Sequence, residues 1–197
     1  VMYESDFWEL VDSTRAAADG APDAHADLLV ERLCDLDPET VTDFARHVES
    51  RLGRAYRWDL WGAAQVVVGA GDGPPVDDET FENVRCLLIA GGRDVFEGAL
   101  QDPDALARLL PPGFDPAVAA DAEEFGFAAY DAYERLTGDE LPDLGLPEPP
   151  GAPEGVRPDL DDPAALAAAY PALWARFRGG GAPGGAARDA AGGPASA

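Results

Sequence analysis

The residues of this sequence best suited to chemistry are Trp8, Tyr56, Arg57, Trp58, Asp59, Trp61, Asp78, Glu79 and Arg85. An arginine set over an aromatic floor with carboxylates in reach can bind a carboxylate or phosphate group of a ligand. The same residue types also build a buried aromatic core, in which Arg57 or Arg85 pairs with Asp59, Asp78 or Glu79 as a structural clasp. On a helix, Trp58, Trp61 and Gln65 share one face and Asp59 lies on another with Ala63. The whole set therefore cannot point into one pocket, and the clasp is the expected reading.

Other reactive residue types do not gather into motifs. His25 and His47 fall on separate predicted helices with no zinc-type spacing around either, which predicts surface or helix-end histidines and no metal. Cys34 and Cys86 form no C-x-x-C pair and read as buried free thiols. Asp77-Asp78-Glu79 resembles a weak metal or acid/base site, yet a helix start favours the same acids through the macrodipole. Gly69-x-Gly71-x-Gly73 has no secure strand before it and no lysine after it, and Pro74-Pro75 has no amides to offer a phosphate. Serine stands only at positions 5, 13, 50 and 196, with no G-x-S-x-G elbow. No cofactor is expected.

The elements that must position these residues are helical, and the fold class expected is all-α. Asp6-x-x-Glu9 suggests a cap for a first helix to about Ala18, with Phe7, Leu10, Val11 and Thr14 on one face. Asp23 is expected to cap a second helix carrying Ala26, Leu29, Val30 and Leu33. Asp37-Pro38-Glu39 opens a third, whose stripe is Val41, Phe44, Ala45, Val48 and Leu52. Tyr56 to Val68 is apolar nearly all round; helix is preferred over strand because no partner strand exists. Asp77 or Asp78 caps the next helix through Ile89, and further helices are expected over Asp94–Leu100, Pro103–Leu110 and Pro116–Leu136, the last stopping at Gly138. The expected organisation is one helical domain over 1–140, a Pro-rich extended connector over 141–161, a short docking helix over 162–178 and a disordered Gly/Ala/Pro tail over 179–197.

Composition bounds the function. The formal charge of −24, from 38 acidic and 14 basic residues, repels phosphate backbones and anionic lipid, so neither nucleic acid nor membrane is an expected partner. No apolar run reaches the length of a membrane span and the start lacks a secretory signal pattern, which places the expectation in the cytoplasm. Every basic residue is arginine, consistent with a GC-rich coding bias, and a saline habitat would also favour the acidity.

Three stretches carry a family resemblance: Asp6-Phe7-Trp8-Glu9-Leu10-Val11, then Ala55-Tyr56-Arg57-Trp58-Asp59-Leu60-Trp61-Gly62-Ala63-Ala64, then Phe81-x-x-Val84-Arg85-x-Leu87-Leu88-Ile89-Ala90-Gly91-Gly92-Arg93. Together they resemble a largely bacterial domain-of-unknown-function family, DUF4240, over roughly Asp6 to Leu110, with Tyr170 to Trp174 as a further point of likeness. The family pattern has a shorter loop after the central helix, ending in Gly-Gly-Cys-Ser-Asp-Asp-Gly-Phe. Here that loop is lengthened by Gly71 to Val76, the Cys-Ser is missing, Val84 replaces Phe and Leu87 replaces Trp. The resemblance implies a fold and a candidate surface but no chemistry. The leading expectation is thus a non-enzymatic acidic interaction module for a basic protein partner, of immunity or regulatory type; the alternative is a small-molecule-binding protein or enzyme using the aromatic, Arg and Asp cleft.

Overall fold

Pro38 fixes the first φ of a helix and Asp37 just before it accepts from the Thr40 amide at 3.0 Å, so the chain is committed to a helix from this point. That helix, α3 (Pro38–Arg54), buries Val41, Phe44, Ala45, Val48 and Leu52 along one stripe. It belongs to a computed structural model that describes residues 1–69 and 73–179. Among the described residues there are ten α-helices and no β-sheet, and the protein is all-α.

Before α3 run α1 (Glu4–Ala17) and α2 (Pro22–Cys34); after it come α4 (Trp58–Val68), α5 (Asp78–Ala90), α6 (Arg93–Gln101) and the single turn α7 (Leu106–Leu109). Next are α8 (Glu123–Thr137), α9 (Pro163–Ala169) and α10 (Pro171–Phe177). Two expected caps fall inside their helices. Asp6 is not the cap of α1 but sits inside its first turn, where its carboxylate accepts the Tyr3 amide at 3.0 Å. Asp23 likewise lies inside α2, because Pro22 takes the first helical position with its missing N–H at no cost. The stretch expected as one helix from Pro116 opens as a tighter 3-10 segment, Pro116–Ala122, before α8. Gly138 ends α8 at φ +77°, a left-handed conformation that glycine adopts without a Cβ clash.

The core lies where α8 crosses α2 and α3 and where α5 packs beneath them. Phe7, Phe44, Phe81 and Phe96 are fully buried, and each contributes about 1.5–3 kcal/mol by leaving water. α4 is buried on most sides, which explains its lack of periodicity: Leu60, Trp61, Ala63, Ala64, Val66 and Val67 are all inside.

Residues 141–162 run without regular structure along the body, held at two points. Arg46 donates to the Leu144 carbonyl at 2.9 Å. Further on, the Trp58 amide donates to Glu154 O and the Glu154 amide to Tyr56 O, both at 2.9 Å, forming a parallel bridge at Arg57. α9 and α10 then seat Leu166, Tyr170 and Leu173 in the core, and Asp104 accepts the Ala172 and Leu173 amides at 3.0 and 2.8 Å, satisfying the start of α10. The tail expected to be disordered falls, from residue 180 onward, outside the described residues.

Candidate functional site

The aromatic and charged residues singled out in the sequence divide into three places. Trp8 is in the core, edge-on to Phe7 (4.9 Å between centroids) and tilted against Phe96 (5.7 Å). Above it lies Arg51, which the sequence reading overlooked. Its guanidinium stands 4.3 Å from the Phe7 centroid and 4.6 Å from that of Trp8, and only 4% of the residue is exposed. Arg51 also donates to His47 Nδ1 (3.2 Å) and to the His47 carbonyl (3.0 Å), while His47 Nε2 donates to Met2 O (3.0 Å). This chain of bonds joins the N-terminus to α3, and burial depresses the Arg51 pKa from its ordinary value. The signal for it was present: Arg51 follows His47 by four residues on the buried flank of α3.

The second place is a clasp at the entrance to α4. Arg57 donates from Nε to Asp59 Oδ1 at 3.0 Å, closes a second contact between Nη2 and Asp59 Oδ2, and reaches the Leu100 carbonyl at 2.9 Å. With Arg57 committed both to Asp59 and to a carbonyl of α6, the pair ties α4 to the end of α6. Asp59 further offers its carbonyl to Tyr170 Oη at 2.7 Å. Trp58 leans on Trp61 at 4.9 Å and carries Arg157 of the connector 5.4 Å over its ring. Trp61 stacks on Phe81 at 4.6 Å and donates from Nε1 to Val76 O at 2.9 Å, while Gln65 accepts the Val76 amide at 2.6 Å. These two bonds pin the end of the long loop ahead of α5.

The third place is a groove of ≈840 Å³ between the end of α3, α5 and the connector. It brings together Tyr56, Asp78 and Arg85, and adds Glu49, Glu82, Asp143 and Glu148, none of them foreseen. Arg85 is 8% exposed, its guanidinium 4.8 Å from the Tyr56 centroid and 5.1 Å from that of Phe81, with Nη1 donating to Leu52 O at 3.0 Å. Its ionic partner is Glu82 at 3.8 Å rather than Asp78 or Glu79. The Tyr56 hydroxyl donates weakly to Asp78 at 3.4 Å, and burial and the Asp78 charge raise the phenol's pKa. Desolvation and then the Glu82 charge push the Glu49 carboxyl up, an effect its bond from Tyr130 Oη (3.5 Å) only partly offsets. Glu79 is exposed and lies outside the groove lining. Glu82 sits four residues after Asp78 and three before Arg85, so helical spacing alone places the three on one face of α5. The connector wall has no such local signal.

Among the described residues no group of three or more His, Cys, Asp or Glu side chains is arranged to hold a metal. None of their helices is long and apolar enough to cross a membrane.

Residues 2–135 match the family described as Protein of unknown function (DUF4240). The chain belongs to the DUF4240 family. The match runs further than the resemblance suggested, past Leu110 through nearly all of α8, and it stops before the connector and α10. No curated protein and no solved structure matches the chain. The DUF4240 region thus supplies α1 to α8 and one side of the acidic groove, whereas the opposite wall, Asp143 to Pro150, comes from sequence outside the match.

Proposed function

We propose that this protein is a non-enzymatic interaction module whose acidic groove receives a basic, extended segment of a protein partner. The observation that carries this reading is the charge balance of the groove: five carboxylates, from Glu49, Asp78, Glu82, Asp143 and Glu148, face one arginine. That arginine is already occupied by two aromatic rings, the Leu52 carbonyl and Glu82. An anionic ligand would meet a repulsive field there, whereas a lysine or arginine side chain would find carboxylates beside the Tyr56 ring and the Leu52 and Leu144 side chains for its alkyl stem. The overall −24 charge would steer a basic partner toward the surface. A regulatory or immunity-type role in a bacterial cytoplasm belongs to the same proposal.

Isothermal titration with an arginine-rich decapeptide and its glutamate counterpart tests this reading. Bulk charge alone would attract any basic peptide, so the decisive comparison is between two double variants of equal charge change. Glu49→Gln/Glu82→Gln alters the groove, and Asp27→Asn/Glu31→Gln alters exposed positions of α2. The first should weaken the basic peptide at least fivefold more than the second at physiological salt. Equal weakening by the two would leave only the general field and would sink the groove as a site.

A further inference from the structure

A second pocket, of ≈370 Å³, shares no residue with the acidic groove. It is enclosed by the turn between α1 and α2, the end of α5, the segment after α7 and the start of α8, and its lining is mainly apolar, including Leu87, Leu110, Phe114 and Phe125. One polar side chain forms part of this lining from within the core: His25, only 5% exposed, its ring 5.5 Å from that of Phe125. The sequence placed this histidine on the surface or at a helix end; it does lie in the first turn of α2, but buried, because α8 lies across α2.

The hydrogen bonds around His25 bear on what it can do. The Thr14 hydroxyl donates its single proton to the carbonyls of Leu10 (2.8 Å) and Val11 (3.1 Å). With that proton held by the carbonyls, Thr14 Oγ1 accepts from His25 Nε2, 3.0 Å away, which favours the tautomer with the ring proton on Nε2. In that tautomer Nδ1 is an acceptor, and the Val11 carbonyl that also approaches the ring cannot donate to it. At the mouth stand Asp19 and Asp121, while Arg15 is paired with Asp12 at 3.0 Å, a setting that disfavours an anion.

We propose that this pocket binds a small, neutral, largely apolar ring molecule that donates one hydrogen bond, from a hydroxyl or a ring N–H, to Nδ1 of His25. The volume suits such a molecule, since small-ligand pockets begin at roughly 300 Å³. The inference stands independently of the acidic groove.

Phenol, indole, toluene and benzoate are the probes, titrated calorimetrically into the full chain. Phenol and indole should bind about tenfold more tightly than toluene, the worth of one hydrogen bond of about 1.4 kcal/mol, and benzoate should bind more weakly than phenol. His25→Phe keeps an aromatic ring against Phe125 but removes the acceptor, so it should abolish the preference for phenol over toluene while toluene still binds. Ala16→Trp, at an exposed position on the rim, should block every probe without touching the core. The inference is overturned if no probe binds, if phenol and toluene bind alike, or if the phenol preference survives in His25→Phe. A rise in phenol affinity when the chain ends at Gly179 would also overturn it, by making the protein's own terminus the occupant.

Discussion

Gly62 lies inside α4 at the point where Tyr170 crosses it, and this contact makes a sign-changing prediction. A methyl group on Gly62 would lie 2.8 Å from Tyr170 Cζ and closer still to its hydroxyl, far inside van der Waals contact. Taken alone, Gly→Ala in a helix interior stabilises by about 1 kcal/mol, because glycine loses more backbone entropy on folding. Here the ring must leave, which forfeits the Tyr170–Asp59 carbonyl bond of 2.7 Å, worth about 1 kcal/mol, and most of the burial of a side chain only 6% exposed, worth roughly 2 kcal/mol. Gly62→Ala should therefore destabilise by about 2 kcal/mol net, a fall in Tm of roughly 4–8 °C for a chain of this size. In a Tyr170→Ala background the obstruction is gone, and the same substitution should raise Tm by roughly 2–4 °C. Thermal unfolding followed by circular dichroism on the four members of the cycle measures both signs. If Gly62→Ala raised Tm equally in both backgrounds, α9 and α10 would not be seated on α4 and the reasoning would be wrong.

Two further outcomes follow from buried groups. Desolvation lowers the His25 pKa from 6.5 to about 4, so between these values the unfolded chain binds more protons than the folded one. Stability is accordingly whole above pH 6.5 and should fall by on the order of 2–3 kcal/mol as pH drops toward 4; urea titrations of His25→Phe should lose that part of the slope, and an unchanged profile would refute it. Burial pushes the Cys86 thiol up to about 12, whereas Cys34 is only half-buried. In native protein at pH 8 a thiol reagent should therefore titrate no more than one cysteine, Cys86 reacting only after denaturant is added. Rapid labelling of both in the native state would contradict the burial.

The helices were readable wherever a local physical cause acts. Asp37 and Pro38 start α3, the 3.6-residue stripe of α3 turns inward, and Gly138 stops α8, all through interactions within one turn of chain. The clasp reading was likewise available for Arg57 and Asp59, two residues apart. Placement failed where the cause is distant in sequence. His25 read as a surface or helix-end histidine, and although it does stand in the first turn of α2, nothing within that helix reports that α8, about a hundred residues later, will bury it. Arg57 or Arg85 was read as pairing with Asp59, Asp78 or Glu79, but the Arg85 guanidinium turned to two aromatic rings, a carbonyl of α3 and Glu82, of which the rings and the carbonyl have no local signal in α5. The groove had the same obscurity: its residues on α5 share a face by spacing, but the connector wall is set by Arg46 holding Leu144 across 98 positions.

The boundary of the family match gains a physical meaning from α4. This helix has no basic residue in its last turn, so its final carbonyls lack the usual local compensation. Arg178 provides it from the far end of the described chain, donating to Gln65 O at 3.0 Å and Val66 O at 2.9 Å and also meeting Gly69 O. Arg176 does the same for the end of α7, donating to Ala107 O at 2.7 Å and Leu110 O at 3.0 Å. A fragment limited to residues 2–135 would thus contain the whole matched region yet leave the end of α4 uncapped, the Gly62 face open and the acidic groove with one wall. The unit in which the groove and its carboxylates have the geometry described extends from the N-terminus to α10, and peptide binding has to be measured on a chain that keeps both ends.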